Sequence, residues 1–180
     1  GWVPGPHGGA LAFPGANGYV DTGLSIDTAM DATILGWSCI PGTTTKNFIG
    51  NGSASATPGG FNIGLANSTY FWSWGNNGKL LITPSTAISI NVLFQWVLVA
   101  KAGVASYLIN KNIVDTFLYS SGSNIGRSIF IGARRHQDTP YSAIQFQNGL
   151  TSSVSIYNRA LSAEEIAYLC AFPWCMYDRA

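Results

Sequence analysis

Carboxylate side chains are scarce in this sequence, and their spacing limits the hydrolytic chemistry that the chain could perform. Hydrolysis of a glycosidic bond needs two carboxylates, one to protonate the leaving oxygen and one to attack or to activate water. The two glutamates, Glu164 and Glu165, open a predicted helix, where capping and the helix dipole account for both. The aspartates are scattered, and no two occupy alternate positions of a predicted strand: Asp21, Asp27, Asp31, Asp115, Asp138 and Asp178. We therefore expect no glycosidase activity.

Histidine and cysteine side chains do not form a recognisable catalytic or metal-binding motif either. His7 and His136 are the two histidines, and neither lies beside a serine or cysteine in a known nucleophile motif. Cys39 lies in an apolar stretch and is predicted to be a small buried hydrophobic residue. Cys170 and Cys175 are close enough in sequence to form a disulfide, but the sequence leaves that geometry open. We expect a protein that is not an enzyme and that binds no transition metal.

Aromatic side chains offer a first candidate binding surface. Tyr70, Trp72 and Trp74 alternate along a predicted strand, so the three large rings share one face of it. If that face is open, the rings can stack on a sugar. If it is closed, they belong to the hydrophobic core, and the sequence leaves both alternatives open.

A polar loop offers a second candidate ligand-binding surface. Residues 134–141 are the place where charged, amide and aromatic side chains collect, and loops on a rigid scaffold often carry recognition. The alternative is a loop that is simply solvated or that contacts a neighbouring subunit. The candidate ligand-binding residues in this loop are Arg134, Arg135, His136, Asp138 and Tyr141.

The C-terminal segment, residues 171–180, is unusually apolar for a chain terminus. Its large side chains are too many to leave in water, so we expect them to fold back onto the domain or to dock on a partner. The predicted interface residues are Phe172, Trp174, Met176 and Tyr177.

Composition limits the domain count and the classes of partner. The 180 residues are predicted to form one domain, residues 1–180, with an apolar core. Only 9% of the residues are charged, and the net charge is +1. A chain with so little charge has no field that attracts nucleic acid or an anionic membrane, and no apolar stretch is long enough for a transmembrane helix.

The apolar pattern predicts about a dozen strands and one short helix. Residues 32–40 and 92–101 are apolar stretches typical of buried strands, and residues 104–114 are predicted to follow as one strand. Asn76-Asn77-Gly78 predicts a tight hairpin turn. Near the end, a strand leads directly into a helix, which Ser162 and Glu165 begin as a capping box, with Leu161 and Ile166 as a hydrophobic staple.

Several of these motifs resemble one family in their order along the chain. The strand followed by YNRALSAEEI is similar to the closing signature of the laminin-G-like, concanavalin-A-like jelly-roll family, and the resemblance extends over residues 8–169. It implies an all-β fold, a two-sheet antiparallel β-sandwich with one short C-terminal helix. We expect its inner faces to include Phe13, Trp37, Phe94, Trp96, Leu108, Ile131 and Ile156.

The same resemblance bears on cofactors. Family members often carry acidic residues in the first turn and just before the last strand, and calcium needs such clustered oxygen ligands. Here the turn contains Asn17, and the later positions are Ser152 and Ser153. We therefore expect no cofactor, with calcium as the less favoured alternative.

The fold does not decide the function, because this family includes lectins, enzymes, adhesion modules and virion proteins. The Pro-Trp tail also resembles the ends of bacteriophage-encoded members. Together with the sparse charge, the tail favours a structural or surface-display protein in a virion, as a homo-oligomer or bound to other virion proteins. The alternative is a secreted carbohydrate-binding adhesion module with a glycan ligand. The expected location is accordingly the virion surface or the extracellular space.

Overall fold

The computed structural model describes residues 1–5, 8–42, 44, 46–52, 59–66, 69–75, 77–82, 90–120, 127–137 and 142–172. These residues form fifteen strands and one helix. The strands are β1 (Trp2–Gly5), β2 (Gly8–Pro14), β3 (Val20–Asp21), β4 (Ala32–Cys39), β5 (Lys46–Gly50), β6 (Phe61–Ala66), β7 (Thr69–Trp74), β8 (Asn77–Ile82), β9 (Phe94–Lys101), β10 (Val104–Ile109), β11 (Asn112–Leu118), β12 (Phe130–Ile131), β13 (Arg134–Gln137), β14 (Ser142–Ile144) and β15 (Asn148–Tyr157), and the helix is α1 (Ala163–Ala171).

Two antiparallel sheets form a sandwich. The first has seven strands in the order β1-β2-β15-β4-β9-β10-β11, and the second has six in the order β3-β12-β5-β6-β7-β8. Strands β13 and β14 form a separate hairpin. The predicted fold class, a two-sheet β-sandwich with one short C-terminal helix, is confirmed, whereas the assignment of residues 1–180 to a single domain stays a prediction.

The core between the sheets is rich in aromatic rings. Phe94 and Trp96 on β9 face Phe48 on β5, with ring centroids 5.7 and 6.4 Å from the Phe48 centroid. The Trp96 ring lies so close to Gly36 on the neighbouring strand β4 that a Cβ there would overlap the indole. Glycine at position 36 therefore makes room for the largest ring of this layer.

The outer face of the seven-stranded sheet carries the helix. Ile166 and Cys170 of α1 pack with Leu35, Val97 and Leu108 of the sheet in a second buried cluster, which also contains Leu161. This cover explains why β9 is buried on both faces, as its apolar sequence predicts. Most of the helix's stability comes from such packing, because an isolated helix of this length is marginal in water.

The start of the helix follows local sequence rules. The Glu165 amide donates to Ser162 Oγ at 3.2 Å, and the Ser162 amide donates to Glu165 Oε2 at 2.8 Å, which confirms the capping box. Thr33 Oγ1 on β4 donates to the Arg159 carbonyl and accepts from the Leu161 amide, so the connection into the helix is tied to the sheet.

Three details of the predicted strands are wrong. The strand predicted over residues 104–114 turns at Asn110 and Lys111, which both adopt a positive φ and connect β10 to β11. Trp37 is half-buried on the outer face of β4, on the side opposite Ile34, and Leu108 packs under the helix rather than between the sheets. For Trp37 and Leu108 the alternation was visible in the sequence, but which face points toward the opposite sheet and which toward the helix was not. Within the described residues no helix is long and apolar enough to span a membrane.

Candidate functional site

The predicted aromatic face is part of the core. Tyr70, Trp72 and Trp74 are buried, and Trp72 has no exposed surface. The Trp72 ring lies 4.4 Å from Phe117 and 5.7 Å from Tyr107, centroid to centroid. The prediction that these three residues bind a ligand is therefore wrong, because their shared face points into the sandwich and the opposite sheet covers it.

The predicted loop of residues 134–141 is only partly described. Arg134 begins β13 and is 7% exposed, so its guanidinium does not stand on an open rim, and burial lowers the pKa of this group. Arg135 and His136 lie in β13 rather than in a loop. Asp138 and Tyr141 lie outside the described residues. A ligand-binding role for the other four residues stays a prediction, whereas an exposed role for Arg134 is wrong.

The predicted interface at the C-terminus is described only at its first residue. Phe172 is exposed, and its ring packs on Tyr168 of α1 at 5.2 Å between centroids. Trp174, Met176 and Tyr177 lie outside the described residues, as does Cys175. The Cys170 thiol is buried and donates to Gln95 Oε1.

A cleft of about 400 Å³ lies at one edge of the sandwich. Strands β1 and β2 form one wall, Ile131 of β12 contributes from the opposite sheet, and residues 151–154 of β15 form the remainder. Thr151 pairs with Leu11 across the sheet, which places the β15 segment beside β2. The cleft is lined by Trp2, Gly9, Leu11, Ile131, Thr151, Ser152, Ser153 and Val154.

The indole of Trp2 stands open at this cleft. Trp2 is 75% exposed, which among the large hydrophobic residues that the structure describes is matched by Leu118. The ring lies against Gly9, where an added Cβ would be 3.2 Å from Trp2 Cε3. Strand β1 is held in place by its pairing with β2 and by the Ala12 amide, which donates to the Gly1 carbonyl at 2.8 Å. One indole face is therefore supported from below while the ring stays accessible.

A bulge in β15 brings two hydroxyls to the same cleft. The register against β4 shifts between Ser152, which pairs with Trp37, and Ser155, which pairs with Leu35. Ser153 within this bulge adopts φ +51°, a conformation that costs free energy for a residue other than glycine. The Oγ atoms of Ser152 and Ser153 are buried and have no hydrogen-bond partner among the described residues. Each hydroxyl would have to rotate toward the cleft to meet a ligand.

A buried chain of hydrogen bonds stiffens the floor of the cleft. Trp96 Nε1 donates to Ser38 Oγ at 3.0 Å, Ser38 Oγ lies 3.0 Å from Thr151 Oγ1, and Thr151 Oγ1 donates to Gln147 Oε1 at 2.8 Å. Gln147 in turn donates to the Leu150 carbonyl. Because each member is satisfied, this network holds the segment before the bulge in one arrangement.

The chemistry of the lining favours an uncharged, hydroxyl-rich ligand. It combines one exposed aromatic ring, several aliphatic side chains and neutral hydroxyls, and none of the described lining residues carries a charge. No group of three or more His, Cys, Asp or Glu side chains comes together in the described part of the chain. Serine hydroxyls lack the charge that calcium prefers, so this cleft does not fit a calcium ion.

This cleft is not predictable from the sequence. Ser152 and Ser153 stand where family members often carry acidic residues, and nothing in their sequence context predicts a hydroxyl without a partner. No pattern predicts the exposure of Trp2 either, because it is a single tryptophan outside any periodic run. The bulge also lacks a sequence signal, because serine is not among the residues enriched at positive φ.

The comparisons with known proteins agree with this architecture. The family model described as the concanavalin A-like lectin/glucanases superfamily matches residues 14–167. The chain belongs to this superfamily, and its fold is a lectin-like jelly roll. A comparison with curated protein sequences gives no match.

Solved structures with this fold include three proteins of different origin. Domain 4 of AbnA, an extracellular arabinanase from Geobacillus stearothermophilus in complex with arabinotriose, shares 17% identity, with a TM-score of 0.69 over 94% of this chain and 80% of that chain. The CBM40 of Ruminococcus gnavus IT-sialidase bound to α2,3-sialyllactose shares 14%, with a TM-score of 0.68 over 89% and 96%. A native heptameric SAP-like pentraxin from Limulus polyphemus shares 14%, with a TM-score of 0.64 over 89% and 81%. At these identities the likeness establishes the fold.

Proposed function

We propose that this protein is a non-enzymatic, lectin-like module that binds an uncharged glycan in the edge cleft. The observation that carries the proposal is the pairing of an exposed, supported indole with two unpartnered serine hydroxyls in one cleft. A sugar ring presents an apolar face of C–H groups and a rim of hydroxyls. Trp2 would meet the first, and the hydroxyls of Ser152 and Ser153, rotated from their buried positions toward the cleft, would meet the second.

The expected energetics are those of a modest, reversible binder. A hydrogen bond that satisfies a buried neutral hydroxyl contributes about 0.5–1.5 kcal/mol, because water is displaced on both sides. An aromatic contact adds about 0.5–1.5 kcal/mol beyond the area it buries. These terms must offset the cost of immobilising the ligand, so we expect dissociation constants that are micromolar or weaker.

Two features support a non-catalytic role. The carboxylates of the sequence are scattered, and the cleft lining contains none among the described residues. A neutral serine hydroxyl without a neighbouring base is a poor nucleophile. One of the similar structures, the sialidase CBM40, is described as bound to α2,3-sialyllactose.

The test compares two exposed residues at opposite edges of one sheet. Trp2 on β1 and Leu118 on β11 are each 75% exposed, so neither contributes much to the core. A glycan array of neutral and acidic sugars identifies a ligand, and titration calorimetry then measures its affinity. We expect Trp2→Ala to weaken binding about tenfold or more and Leu118→Ala to leave it unchanged. No neutral glycan bound by the array, or equal affinities of the two variants, would overturn the proposal.

We propose further that the module works as part of an assembly, displayed on a bacteriophage virion or secreted. The sparse charge supports this, because a chain in which only 9% of the residues are charged has little colloidal repulsion. Exposed Ile113 and Leu118 on the edge strand β11 add apolar surface that a neighbour would cover. Light scattering across a concentration series tests the assembly, and a monomer at every concentration would contradict it.

A further inference from the structure

The outermost strands of the seven-stranded sheet, β1 and β11, each have one side without a neighbouring strand in that sheet. Such an edge presents backbone amides and carbonyls with which a strand of a second molecule can pair, so that the sheet continues across both molecules. In an antiparallel pair, amides that donate to the partner strand alternate with amides that point away from it. The hydrogen bonds of β1 and β11 therefore show which amides face the open side of each edge.

At the β1 edge an outward-facing donor is missing. The Ala12 amide donates to the Gly1 carbonyl at 2.8 Å, and the register between β1 and β2 is unbroken. Alternation from this hydrogen bond turns the amide of Val3 toward β2 and the backbone nitrogens of Trp2 and Pro4 away from it. Proline has no amide hydrogen, so Pro4 removes a donor that an added strand would need.

At the β11 edge an outward-facing donor is already occupied. The Tyr119 amide donates to the Gly103 carbonyl at 2.9 Å, and the register between β10 and β11 continues unbroken to the pair of Tyr107 and Asp115. Alternation from this hydrogen bond places the Thr116 amide on the open side of β11. That amide donates to Asp115 Oδ1 at 2.7 Å. A side chain of the same strand thus takes the place of an incoming carbonyl.

The second oxygen of the same carboxylate points into the sandwich. Asp115 lies directly opposite Tyr107, whose ring is buried between the sheets, so the two side chains share the inner face. Asp115 Oδ2 is buried and has no hydrogen-bond partner in the part of the chain that the structure describes. Burying a charge in this way costs free energy. The register also shifts next to this position, between Tyr107 and Leu108, which marks a bulge in the β10–β11 pair.

We propose that Asp115 closes the β11 edge to strand addition by a second copy of this chain. Inward-pointing charged residues and bulges are the features that keep edge strands from pairing with other molecules, and Pro4 supplies a different one at the opposite edge. A strand added at β11 would have to break the hydrogen bond between Asp115 and Thr116 and would bury the carboxylate further. The inference goes beyond the proposed glycan binding and does not depend on it.

The proposal also bears on how copies can meet in an assembly. Ile113 pairs with Leu108, which packs under the helix, and Leu118 pairs with Val104, so both exposed side chains lie on the outer face of the sheet. A neighbour could cover these side chains without pairing with the backbone of β11. Contact between copies would then be made by side chains on the faces of the sandwich, and the sheet would end at β11.

Asp115→Val tests the proposal, because it removes the carboxylate, releases the Thr116 amide and introduces a residue that favours strands. Deuterium exchange of the peptide that covers residues 112–118 is measured by mass spectrometry over a concentration series, with light scattering on the same samples. In Asp115→Val we expect association that increases with concentration, and exchange of β11 amides about tenfold slower at the highest concentration than at the lowest. The wild-type rate should not depend on concentration, even if copies associate through another surface.

Two further variants are the controls. Thr116→Val introduces the same side chain at the neighbouring exposed position and keeps Asp115, so it should exchange as the wild type does. Asp115→Asn keeps an acceptor for the Thr116 amide but removes the charge, and its exchange should slow less than that of Asp115→Val. Exchange in Asp115→Val that is independent of concentration, or equal slowing in Thr116→Val, would overturn the proposal.

Thermal unfolding completes the test. The melting temperature of Asp115→Val at low concentration should equal or exceed that of the wild type, because valine leaves no buried oxygen without a partner at this position. A clearly lower melting temperature would overturn the proposal, because the carboxylate would then stabilise the fold of the single molecule.

Discussion

Two strands of this molecule carry tryptophan side chains that differ in burial. Strand β7 carries Trp72 and Trp74 between β6 and β8 of the six-stranded sheet, and both are fully buried. Strand β1 carries Trp2 at the outermost position of the seven-stranded sheet, and its ring is open. The periodic, conspicuous aromatic stripe builds the core, whereas the isolated residue at the sheet edge is available for recognition.

The difference follows from what lies opposite each ring. Trp72 packs on Tyr107 and Phe117 from strands β10 and β11, so the two sheets close over it. Trp2 has a glycine beneath it and a cleft beside it. A tryptophan binds a ligand only where the fold leaves one of its faces without a partner.

The largest expected effect comes from truncating the two rings and comparing their contributions to stability. Trp72→Ala leaves a cavity in the core and should lower the free energy of unfolding by about 3–5 kcal/mol. Trp2→Ala should change it by less than about 1 kcal/mol, because the ring is mostly exposed. Urea denaturation followed by circular dichroism measures both. Similar losses for the two variants would show that Trp2 is part of the core.

Alkaline pH should lower stability through the buried tyrosines of the core. Burial raises the pKa of Tyr70 to about 12, and burial together with the neighbouring Tyr70 raises the pKa of Tyr107 well above its ordinary value. The native state therefore retains protons that the unfolded state releases above pH 10. Stability is fully present below pH 10 and is lost from there through about pH 12, with a slope of up to about 1.4 kcal/mol per pH unit for each tyrosine.

Urea midpoints measured at intervals from pH 8 to pH 11.5 check this prediction. Tyr70→Phe removes one of the two titrating phenols and should make the decline shallower. A midpoint that stays constant up to pH 11.5 would contradict the burial of these hydroxyls.

Single serine substitutions should have smaller effects, and these distinguish a hydroxyl that contributes to binding from one that contributes to folding. Ser152→Ala removes a buried hydroxyl without a partner among the described residues, so stability should be unchanged or should rise by up to about 1 kcal/mol. Affinity for the glycan should fall about fivefold, in proportion to one neutral hydrogen bond of roughly 1 kcal/mol.

Ser38→Ala is the matched control for that substitution. Ser38 Oγ accepts from Trp96 Nε1 and contacts Thr151 Oγ1, so its loss leaves a buried indole N–H unpaired. Stability should fall by about 1–3 kcal/mol. Affinity should fall less than for Ser152→Ala, because Ser38 acts on the cleft only through the hydrogen bonds of Thr151. A loss of affinity for Ser38→Ala as large as that for Ser152→Ala, or equal losses of stability in the two variants, would remove the distinction between the two hydroxyls.

Much of the architecture could be predicted because its signals are local. The capping box of Ser162 and Glu165 needs only four consecutive residues. The run Asn76-Asn77-Gly78 predicted the hairpin between β7 and β8, although Asn77 already pairs with Trp74 and belongs to β8. The continuous apolar run of β9 indicated a strand covered on both sides, which the helix and the second sheet provide. In these elements the sequence pattern and the tertiary contacts agree.

The candidate site could not be predicted in this way. The exposure of Trp2 depends on the place of β1 at the sheet edge, and the cleft depends on Thr151 pairing with Leu11, far away in sequence. Arg134 looked like a rim residue, because charge usually marks the surface, but it is 7% exposed at the start of the β13–β14 hairpin.

By itself, then, the sequence determined the strands, the helix and its cap, because backbone periodicity and capping depend on neighbouring residues. Tertiary structure alone decided which aromatic rings are closed in and which hydroxyls lack a partner. The physical reason is that a side chain is buried only when a second surface covers it. Trp72 belongs to the core because β10 and β11 lie across from it. Ser152 is a candidate ligand contact because the β15 bulge lies beside β2 at the cleft.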